Sequence, residues 1–191
     1  LDGQTLKEAL GETEPSKVKD YFTRFEEETL NPLHRLGTIH GDIKPGNLVL
    51  HKNQIFLIDW SIARSLGEDF QDLVSRIIFG TPGYIHRDTT RSIDHTALAM
   101  TFAKRLIPST KLPKAPKHNL RDLPGKNKMD RAIARIAEDL ESRFDAATAL
   151  YFTKLTNEER EYAVRPDMEK MVTKVYGKEI EDDTDDDSTV R

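Results

Sequence analysis

The first third of the chain carries apolar residues at helical spacing. After Ser16 they recur at steps of three and four residues or sums of these, which is typical of an amphipathic helix. Ser16 is a candidate N-cap, Pro32 is expected to bend or split the helix, and Gly37 is expected to end it. The apolar positions of this predicted helix are Val18, Tyr21, Phe22, Phe25, Leu30, Leu33 and Leu36.

Shorter patterns lie on either side of this helix. Residues 5–10 predict a brief helix. Two apolar runs, 48–50 and 55–58, flank Lys52-Asn53-Gln54, which predicts a small β-hairpin. Residues 60–91 show no sustained period and predict a long surface loop, and such loops in compact domains are usually functional or disordered.

The second half of the chain predicts mainly helices. Residues 92–106 are apolar on nearly all sides, which indicates a buried helix. A basic, proline-punctuated loop is predicted over 107–128, followed by an amphipathic helix from Met129 to Leu140. Shorter helices are predicted over 146–151 and 168–175. The expected fold class is therefore mainly α with one small β-hairpin.

Composition indicates a polar, soluble globular protein. The chain has 191 residues, enough for one ordinary domain, with 37% hydrophobic and 32% charged residues. No apolar run is long enough to span a bilayer, and no cysteine is present, which fits a reducing compartment. We therefore expect an intracellular, cytoplasmic protein without a membrane partner.

Charge is unevenly placed along the chain. Residues 179–187 contain seven acids and no base, and the formal charge of −4 would be +3 without them. This segment is expected to be a disordered tail, with a partner-binding or self-inhibitory arm as the alternative. The basic stretch 104–128 lacks interleaved aromatic residues for stacking on bases, so a nucleic-acid partner is not expected.

Three oxygen-bearing side chains are expected to converge at the end of the hairpin. Asp42 and Asn47 lie in the loop before the first strand, and Asp59 follows the second strand. The hairpin would return Asp59 to the side of that loop. Carboxylate and amide oxygens beside Lys44 suit Mg²⁺ and phosphate.

Two neighbouring stretches carry these residues, His40-Gly41-Asp42-Ile43-Lys44-Pro45-Gly46-Asn47 and Ile58-Asp59-Trp60. They resemble the protein-kinase catalytic loop H-R-D-L-K-P-E-N and the D-F-G that follows it. Gly80-Thr81-Pro82-Gly83-Tyr84 resembles the family's G-T-P-x-Y segment. Asp94 opens a helix that resembles the one anchoring the catalytic loop. Arg143 resembles the late arginine that pairs with the A-P-E acid, which would be Asp88 here.

The resemblance implies catalytic and metal-binding roles. Asp42 would accept the proton of the substrate hydroxyl, and Lys44 would neutralise charge on the transferring phosphoryl group. Asn47 and Asp59 would hold Mg²⁺ with its ATP. Thr81, on the substrate side, would hydrogen-bond back to Asp42 and Lys44.

The resemblance also implies nucleotide contacts and a missing part. Val49 would form part of the floor under the adenine, and Gln4 (or Asp2) would contact the ribose. No glycine-rich loop or V-A-I-K strand precedes the catalytic loop. The chain therefore resembles a kinase C-terminal lobe with the N-terminal β lobe absent, a fragment expected to be inactive without that lobe or a partner chain.

Several residues depart from the family pattern. Gly41 replaces the arginine that reads a phosphate on the activation loop, so control by phosphorylation of Ser65, Ser75 or Thr81 is not expected. Trp60-Ser61 replaces Phe-Gly, and Trp60 is expected in the core, as is Tyr84. His40 is expected to be a packing residue.

These observations predict a kinase-like C-lobe over 1–155, a helical extension over 156–178 and the acidic tail over 179–191. The expected function is ATP-dependent phosphorylation of protein hydroxyls, because Lys44 resembles serine/threonine kinases. Two alternatives remain open. One is a small-molecule kinase of the aminoglycoside and choline type, and the other is a non-catalytic pseudokinase or scaffold module.

Overall fold

The computed structural model describes residues 4–6, 13–65, 81, 84, 93–112 and 126–156, with the backbone alone described at 4, 5, 64, 65, 126 and 127. Within these ranges helices dominate, as predicted. The elements in chain order are β1 (Gln4–Thr5), α1 (Pro15–Phe25), a π-helical segment (Glu26–Leu30), α2 (Asn31–Arg35), β2 (Thr38–Ile39), a 3₁₀ turn (Pro45–Asn47), β3 (Leu48–His51), β4 (Gln54–Leu57), β5 (Arg64–Ser65), α3 (Ile93–Leu106), α4 (Lys126–Arg143) and α5 (Ala146–Leu155).

The predicted long helix begins two residues earlier than a cap at Ser16 implies. Pro15 lies in the first turn of α1, and Glu14 occupies the N-cap position without a side-chain cap hydrogen bond. Proline starts a helix well because its φ is already helical and its missing N–H is not needed there. The prediction that Ser16 caps this helix is therefore wrong.

Pro32 divides the helix, as predicted, and the division changes which side chains are buried. In the π-helical segment the N–H of Asn31 donates to the carbonyl of Glu26, five residues back. The wider turn fits next to Pro32, which has no N–H to give the carbonyl four residues before it. Downstream residues are thereby rotated, so that His34 is buried while Leu36 is 62% exposed. The placement of Leu36 on the apolar face was wrong.

Gly37 ends α2, as predicted. Its N–H donates to the carbonyl of His34 at 2.9 Å, and its φ is +73°, a left-handed conformation. We expect Gly37→Ala to lower the free energy of unfolding by about 1 kcal/mol, because a Cβ is disfavoured there even though it would meet no atom within 4 Å. Urea denaturation of the chain measures this loss.

Gly46 provides the matched control for Gly37. It also has open space around its missing Cβ, but its φ is not left-handed. Gly46→Ala should therefore be neutral or slightly stabilising, since alanine restricts the unfolded chain. Equal losses at the two glycines would contradict the conformational explanation.

The predicted hairpin is present and belongs to a three-stranded antiparallel sheet in the order β1-β3-β4. Leu48 is opposite Leu57, and His51 is opposite Gln54. Lys52 and Asn53 connect the strands with φ values of 47° and 63°. Two positive φ angles in a two-residue loop match the right-handed twist of the strands.

Two pairings were not predicted from the sequence. Strand β1 pairs with β3, so Thr5 lies in a strand and not in the helix expected over 5–10. Strands β2 and β5 form a separate two-stranded sheet, with Ile39 opposite Arg64. This second pairing ties the loop after β4 to the segment that leads into the motif at 40–47.

The core forms around α3, which is buried along most of its length, as predicted. Phe102 lies edge-on to Phe22, with ring centroids 5.3 Å apart, and edge-on to Tyr151 at 5.1 Å. Helices α4 and α5 cover the other side and are longer than predicted. Their fully buried side chains are Met129, Leu140, Phe152 and Leu155.

Some predictions lie outside the described residues: the helix over 168–175, the acidic tail, most of the loop 60–91, and Asp88 as the partner of Arg143. Among the helices that the structure does describe, none is both long and apolar enough to cross a bilayer.

Candidate active site

The motif 40–47 rests on the carboxylate of Asp94, which is fully buried in the first turn of α3. Its Oδ2 accepts a hydrogen bond from the His40 N–H at 2.8 Å and its Oδ1 accepts one from the Gly41 N–H at 2.8 Å. His34 Nε2 donates to Oδ2 at 2.9 Å. Gly41 adopts a φ of +82° here. Asp94 thus fixes the start of the motif, as the resemblance implied.

The environment of Asp94 determines its charge. Burial by itself raises the pKa of a carboxyl group. The hydrogen bond and charge of His34 and the backbone N–H groups of Gly41 and His40 act in the opposite direction, and the pKa of Asp94 lies below its ordinary value. The group is therefore a carboxylate that only accepts hydrogen bonds.

Asp42 is the centre of a second network. Its Oδ1 accepts a hydrogen bond from Thr81 Oγ1 at 2.6 Å. Its Oδ2 accepts from Lys44 Nζ at 2.5 Å and from Asn47 Nδ2 at 3.0 Å. Lys44 Nζ also donates to Thr81 Oγ1 at 3.1 Å. Both predicted contacts of Thr81 are present, and four of the predicted site residues meet at one carboxylate.

The network leaves acceptor capacity on Asp42. A carboxylate oxygen has two lone pairs, and Oδ1 is engaged only by Thr81 within the described residues. The Asp42 side chain is 13% exposed and that of Lys44 is 32% exposed, so both can be reached from solvent. A hydroxyl group placed next to Oδ1 could therefore donate a hydrogen bond to it.

Asn47 and Asp59 lie next to each other because the hairpin returns Asp59 to the motif. The N–H of Ile58 donates to the carbonyl of Asn47 at 2.9 Å. The Asn47 amide nitrogen donates to the Asp42 carbonyl at 2.8 Å and to its carboxylate. Neither hydrogen bond uses the amide oxygen of Asn47, the atom that a hard cation would take.

Asp59 is exposed and has a φ of +62°, a left-handed conformation that aspartate tolerates better than most residues. Ser61 donates to its Oδ1 from Oγ at 2.6 Å and from N at 3.4 Å. The side-chain hydrogen bond of Ser61, then its backbone hydrogen bond, and the positive charge of Lys44 hold the pKa of Asp59 below its usual value against an opposing effect of burial. Asp59 is thus ionised at neutral pH.

The donor set fits a magnesium ion that is shared with phosphates. Mg²⁺ is commonly held by one or two protein oxygens together with substrate phosphates and water. Among the described residues no group of three or more His, Cys, Asp or Glu side chains could hold a metal by itself. Asn47 and Asp59 would supply the protein oxygens.

Comparisons with known proteins find protein kinases as distant, partial relatives. No family model matches the chain. A probable serine/threonine-protein kinase of Streptomyces coelicolor is 34% identical over 93 residues, which cover 44% of this chain and 13% of that protein. One of Clostridium acetobutylicum is 30% identical over 95 residues, covering 48% and 14%. The serine/threonine-protein kinase MPS1 of Saccharomyces cerevisiae is 28% identical over 76 residues, covering 40% and 10%.

The chain contains a protein-kinase-like region. Its matches cover less than half of the chain and at most 14% of the length of these relatives.

Within the kinase-like region, His40 and Trp60 flank the metal candidates. His40 is fully buried, as predicted; its Nε2 donates to the carbonyl of Ile58 at 3.2 Å and its Nδ1 accepts from the N–H of Asp42 at 3.3 Å. The two contacts fit a neutral ring with the proton on Nε2. Trp60 lies edge-on to His40 with centroids 5.0 Å apart, yet is 45% exposed. The core placement predicted for Trp60 was wrong.

The predicted nucleotide contacts of the kinase-like region lie in the three-stranded sheet. Val49 is 6% exposed in β3, opposite Phe56. The backbone of Gln4, in β1, lies opposite Leu50 of β3. The next residue in β1, Thr5, lies opposite Val49. The side chain of Gln4 is not among those described, and its ribose contact stays a prediction.

A pocket of about 540 Å³ opens on the other side of the motif. Lys44 and Thr81 form one wall, and Lys104 and Arg105 at the end of α3 contribute to another. Tyr84, expected in the core, is partly buried and packs against the hydrophobic cluster while lining this pocket. The pocket therefore reaches Lys44 and Thr81, the two residues that hydrogen-bond to the Asp42 carboxylate.

Two site residues were missed from the sequence. Ser61 follows Asp59 by two positions, a spacing at which Asp commonly bonds the backbone two residues on, so this signal was available. His34 gave no local signal, because its contact with Asp94 joins residues 60 positions apart.

Proposed function

We propose that the kinase-like region is the catalytic-loop part of an enzyme that transfers the γ-phosphoryl group of ATP to a hydroxyl group of a protein substrate. The observation that carries the proposal is the network in which Lys44, Asn47 and Thr81 all hydrogen-bond to the Asp42 carboxylate. Such a network fixes the direction of the carboxylate, and positioning is the main contribution an enzyme makes to phosphoryl transfer.

In the proposed step, the substrate hydroxyl donates its proton to Asp42 Oδ1 as its oxygen forms a bond to the γ-phosphorus. The bond between that phosphorus and the bridging oxygen of ADP breaks, and ADP leaves with the electron pair. Lys44 carries positive charge beside Asp42 and offsets negative charge on the transferred group. When bound at Asn47 and Asp59, Mg²⁺ would neutralise phosphate oxygens.

Protein substrates are favoured over small molecules by the lysine at position 44 and its contact with Thr81. Both features resemble serine/threonine kinases and not the aminoglycoside and choline group. The pocket beside these two residues extends to α3, and we propose that it receives the substrate chain on either side of the acceptor residue.

The test uses the product of the complete gene with Mg-ATP labelled at the γ-phosphate. One reaction offers dephosphorylated protein acceptors, and a parallel one offers aminoglycosides and choline. Label in serine or threonine of the proteins supports the proposal. Label in the small molecules favours the first alternative. Absence of transfer with nucleotide binding retained favours a non-catalytic module.

Asp59→Asn is expected to raise the Mg²⁺ concentration needed for half-maximal transfer by roughly ten-fold or more, since even the outer partners of metal ligands affect affinity that much. The amide keeps the size of the side chain but removes the charge that attracts the cation. Titration of Mg²⁺ at fixed ATP measures the effect. Asp130→Asn, an exposed position on α4, is the control, and identical Mg²⁺ curves for both variants would exclude Asp59 as a ligand.

A further inference from the structure

A second pocket, of about 440 Å³, lies between the segment after α3 and one face of α4. It shares no lining residue with the pocket beside Lys44. Its volume is within the range of small-ligand sites, a few hundred cubic ångströms. No step of the proposed phosphoryl transfer uses it.

The walls of this pocket carry an excess of positive charge. Lys128, Arg131 and Arg135 are spaced by three and four residues on α4 and share one face, and Lys111 lies across from them. Asp139 is the single acid among the lining residues. None of the four cations forms an ion pair with another described residue. Like charges at these spacings destabilise a helix, so the arrangement costs stability unless an anion is present.

A buried hydroxyl group is a second, independent sign that this pocket holds a ligand. Thr110 lines the pocket and is 7% exposed, and its Oγ1 has no hydrogen-bond partner among the described residues. Its backbone is fixed on both sides, because its N–H donates to Ile107 at 2.9 Å and its carbonyl accepts from Lys104 Nζ at 2.9 Å. A buried donor left unsatisfied is unfavourable. Because Oγ1 has almost no surface open to solvent, the Thr110 side chain must rotate toward the pocket for an acceptor oxygen there to satisfy it.

We propose that this pocket binds a phosphate monoester. Two guanidinium groups can each bind a phosphate through two parallel hydrogen bonds, and a group of nearly two negative charges with three acceptor oxygens balances the excess of three positive charges better than one carboxylate. The pocket is larger than one phosphate group and has room for the ester to which it is attached. The phosphate can belong to a free molecule or to a phosphorylated serine of a polypeptide.

Isothermal titration of the 191-residue chain tests the proposal in chloride buffer at low ionic strength. The probes are inorganic phosphate and one short peptide in three forms, with phosphoserine, glutamate or serine at the same position. Phosphate and the phosphopeptide should bind saturably, and the glutamate peptide about ten-fold more weakly than the phosphopeptide. Tighter binding of the phosphopeptide than of phosphate assigns the site to phosphorylated protein, whereas equal binding assigns it to free phosphate.

Variants assign the binding to this pocket. Arg131→Ala should weaken binding by roughly ten-fold or more through loss of a charge-assisted contact. Thr110→Val should weaken it by about five-fold through loss of one hydrogen bond. Lys17→Ala removes an exposed cation from α1 and is the control. Circular-dichroism melting establishes that each variant is folded.

The proposal is overturned if neither phosphate nor the phosphopeptide binds saturably, if the glutamate peptide binds as tightly as the phosphopeptide, or if Lys17→Ala weakens binding as much as Arg131→Ala. If Arg131→Ala does not fold, amide chemical shifts of the unaltered chain decide. Phosphate-dependent shifts at Thr110 and Arg135 support the site, and shifts confined to other regions refute it.

Discussion

Replacing Asp42 with asparagine in the complete protein is expected to lower the rate of phosphoryl transfer by about 10²–10⁴-fold, the usual contribution of a general base. Asparagine has nearly the same shape but cannot take up the substrate proton. Its amide oxygen can still accept a hydrogen bond from Lys44, and the Thr81 hydroxyl can act as donor or acceptor. The loss should therefore fall on turnover, with folding and Mg-ATP binding nearly unchanged.

The experiment measures kcat, the affinity for Mg-ATP and the melting temperature of Asp42→Asn. Asp20→Asn, which neutralises an exposed carboxylate on α1, is the control and should match the unaltered protein. Thr81→Val keeps the carboxylate but removes the hydroxyl that bonds to its Oδ1, so a smaller fall in kcat is expected. If Asp42→Asn retains full turnover, Asp42 is not the base and the proposed mechanism fails.

Residues close together in sequence made the candidate site predictable. Asp42, Lys44 and Asn47 lie within six positions, and the hairpin that returns Asp59 is fixed by two short apolar runs and a two-residue turn. The buried helix α3 was predictable for a similar reason, since its apolar residues cover nearly every side. In each case one short segment contained the whole signal.

The errors arose where distant residues decide the outcome. The strand pairing of Thr5 depends on Val49, more than forty residues away, and a two-residue strand carries no period to detect. The exposure of Leu36 follows from the π-helical turn beside Pro32, which moves the buried face to His34 and its contact with Asp94. A pattern that assumes one helical period cannot anticipate an added residue in a turn.

Trp60 shows a different limit of prediction from the hydrophobic pattern. Its size and apolar ring favoured a core position, yet it lies at the edge of the site and is 45% exposed. Amphipathic aromatic side chains are often only partly buried. The residue next to it, Asp59, has a left-handed backbone, which sets the direction of the chain at this point and is not visible in the hydrophobic pattern.

Replacing Asp94 with alanine is expected to lower the free energy of unfolding by about 3–5 kcal/mol, because three buried donors lose their acceptor and each unsatisfied group costs about 1–3 kcal/mol. The substitution leaves the N–H groups of His40 and Gly41 and the Nε2 of His34 without their acceptor in a fully buried place. Because small domains are stable by only about 5–15 kcal/mol, this one change removes much of the total. Urea denaturation of the chain measures it.

Control variants distinguish the loss of the buried hydrogen bonds from the loss of one negative charge. Asp130→Ala removes an exposed carboxylate from α4 and should change stability by no more than about 0.5 kcal/mol. Asp94→Asn keeps one acceptor oxygen and the side-chain volume, so its effect should lie between the two. A loss at Asp94→Ala no larger than at Asp130→Ala would show that Asp94 does not anchor the motif.

The contribution of Asp94 should also depend on pH in a defined direction. Its pKa in the folded protein lies below the ordinary value of about 3.9. The unfolded chain therefore takes up the proton first as the solution is acidified, and the stabilisation is present above about pH 4 and is lost as pH falls through the folded pKa. The difference in stability between the unaltered chain and Asp94→Ala should be constant from pH 7 to about pH 5 and then shrink. A difference that instead grew on acidification would mean that the buried carboxyl group is protonated in the native state, and the hydrogen bonds that orient His40 and Gly41 would need another explanation.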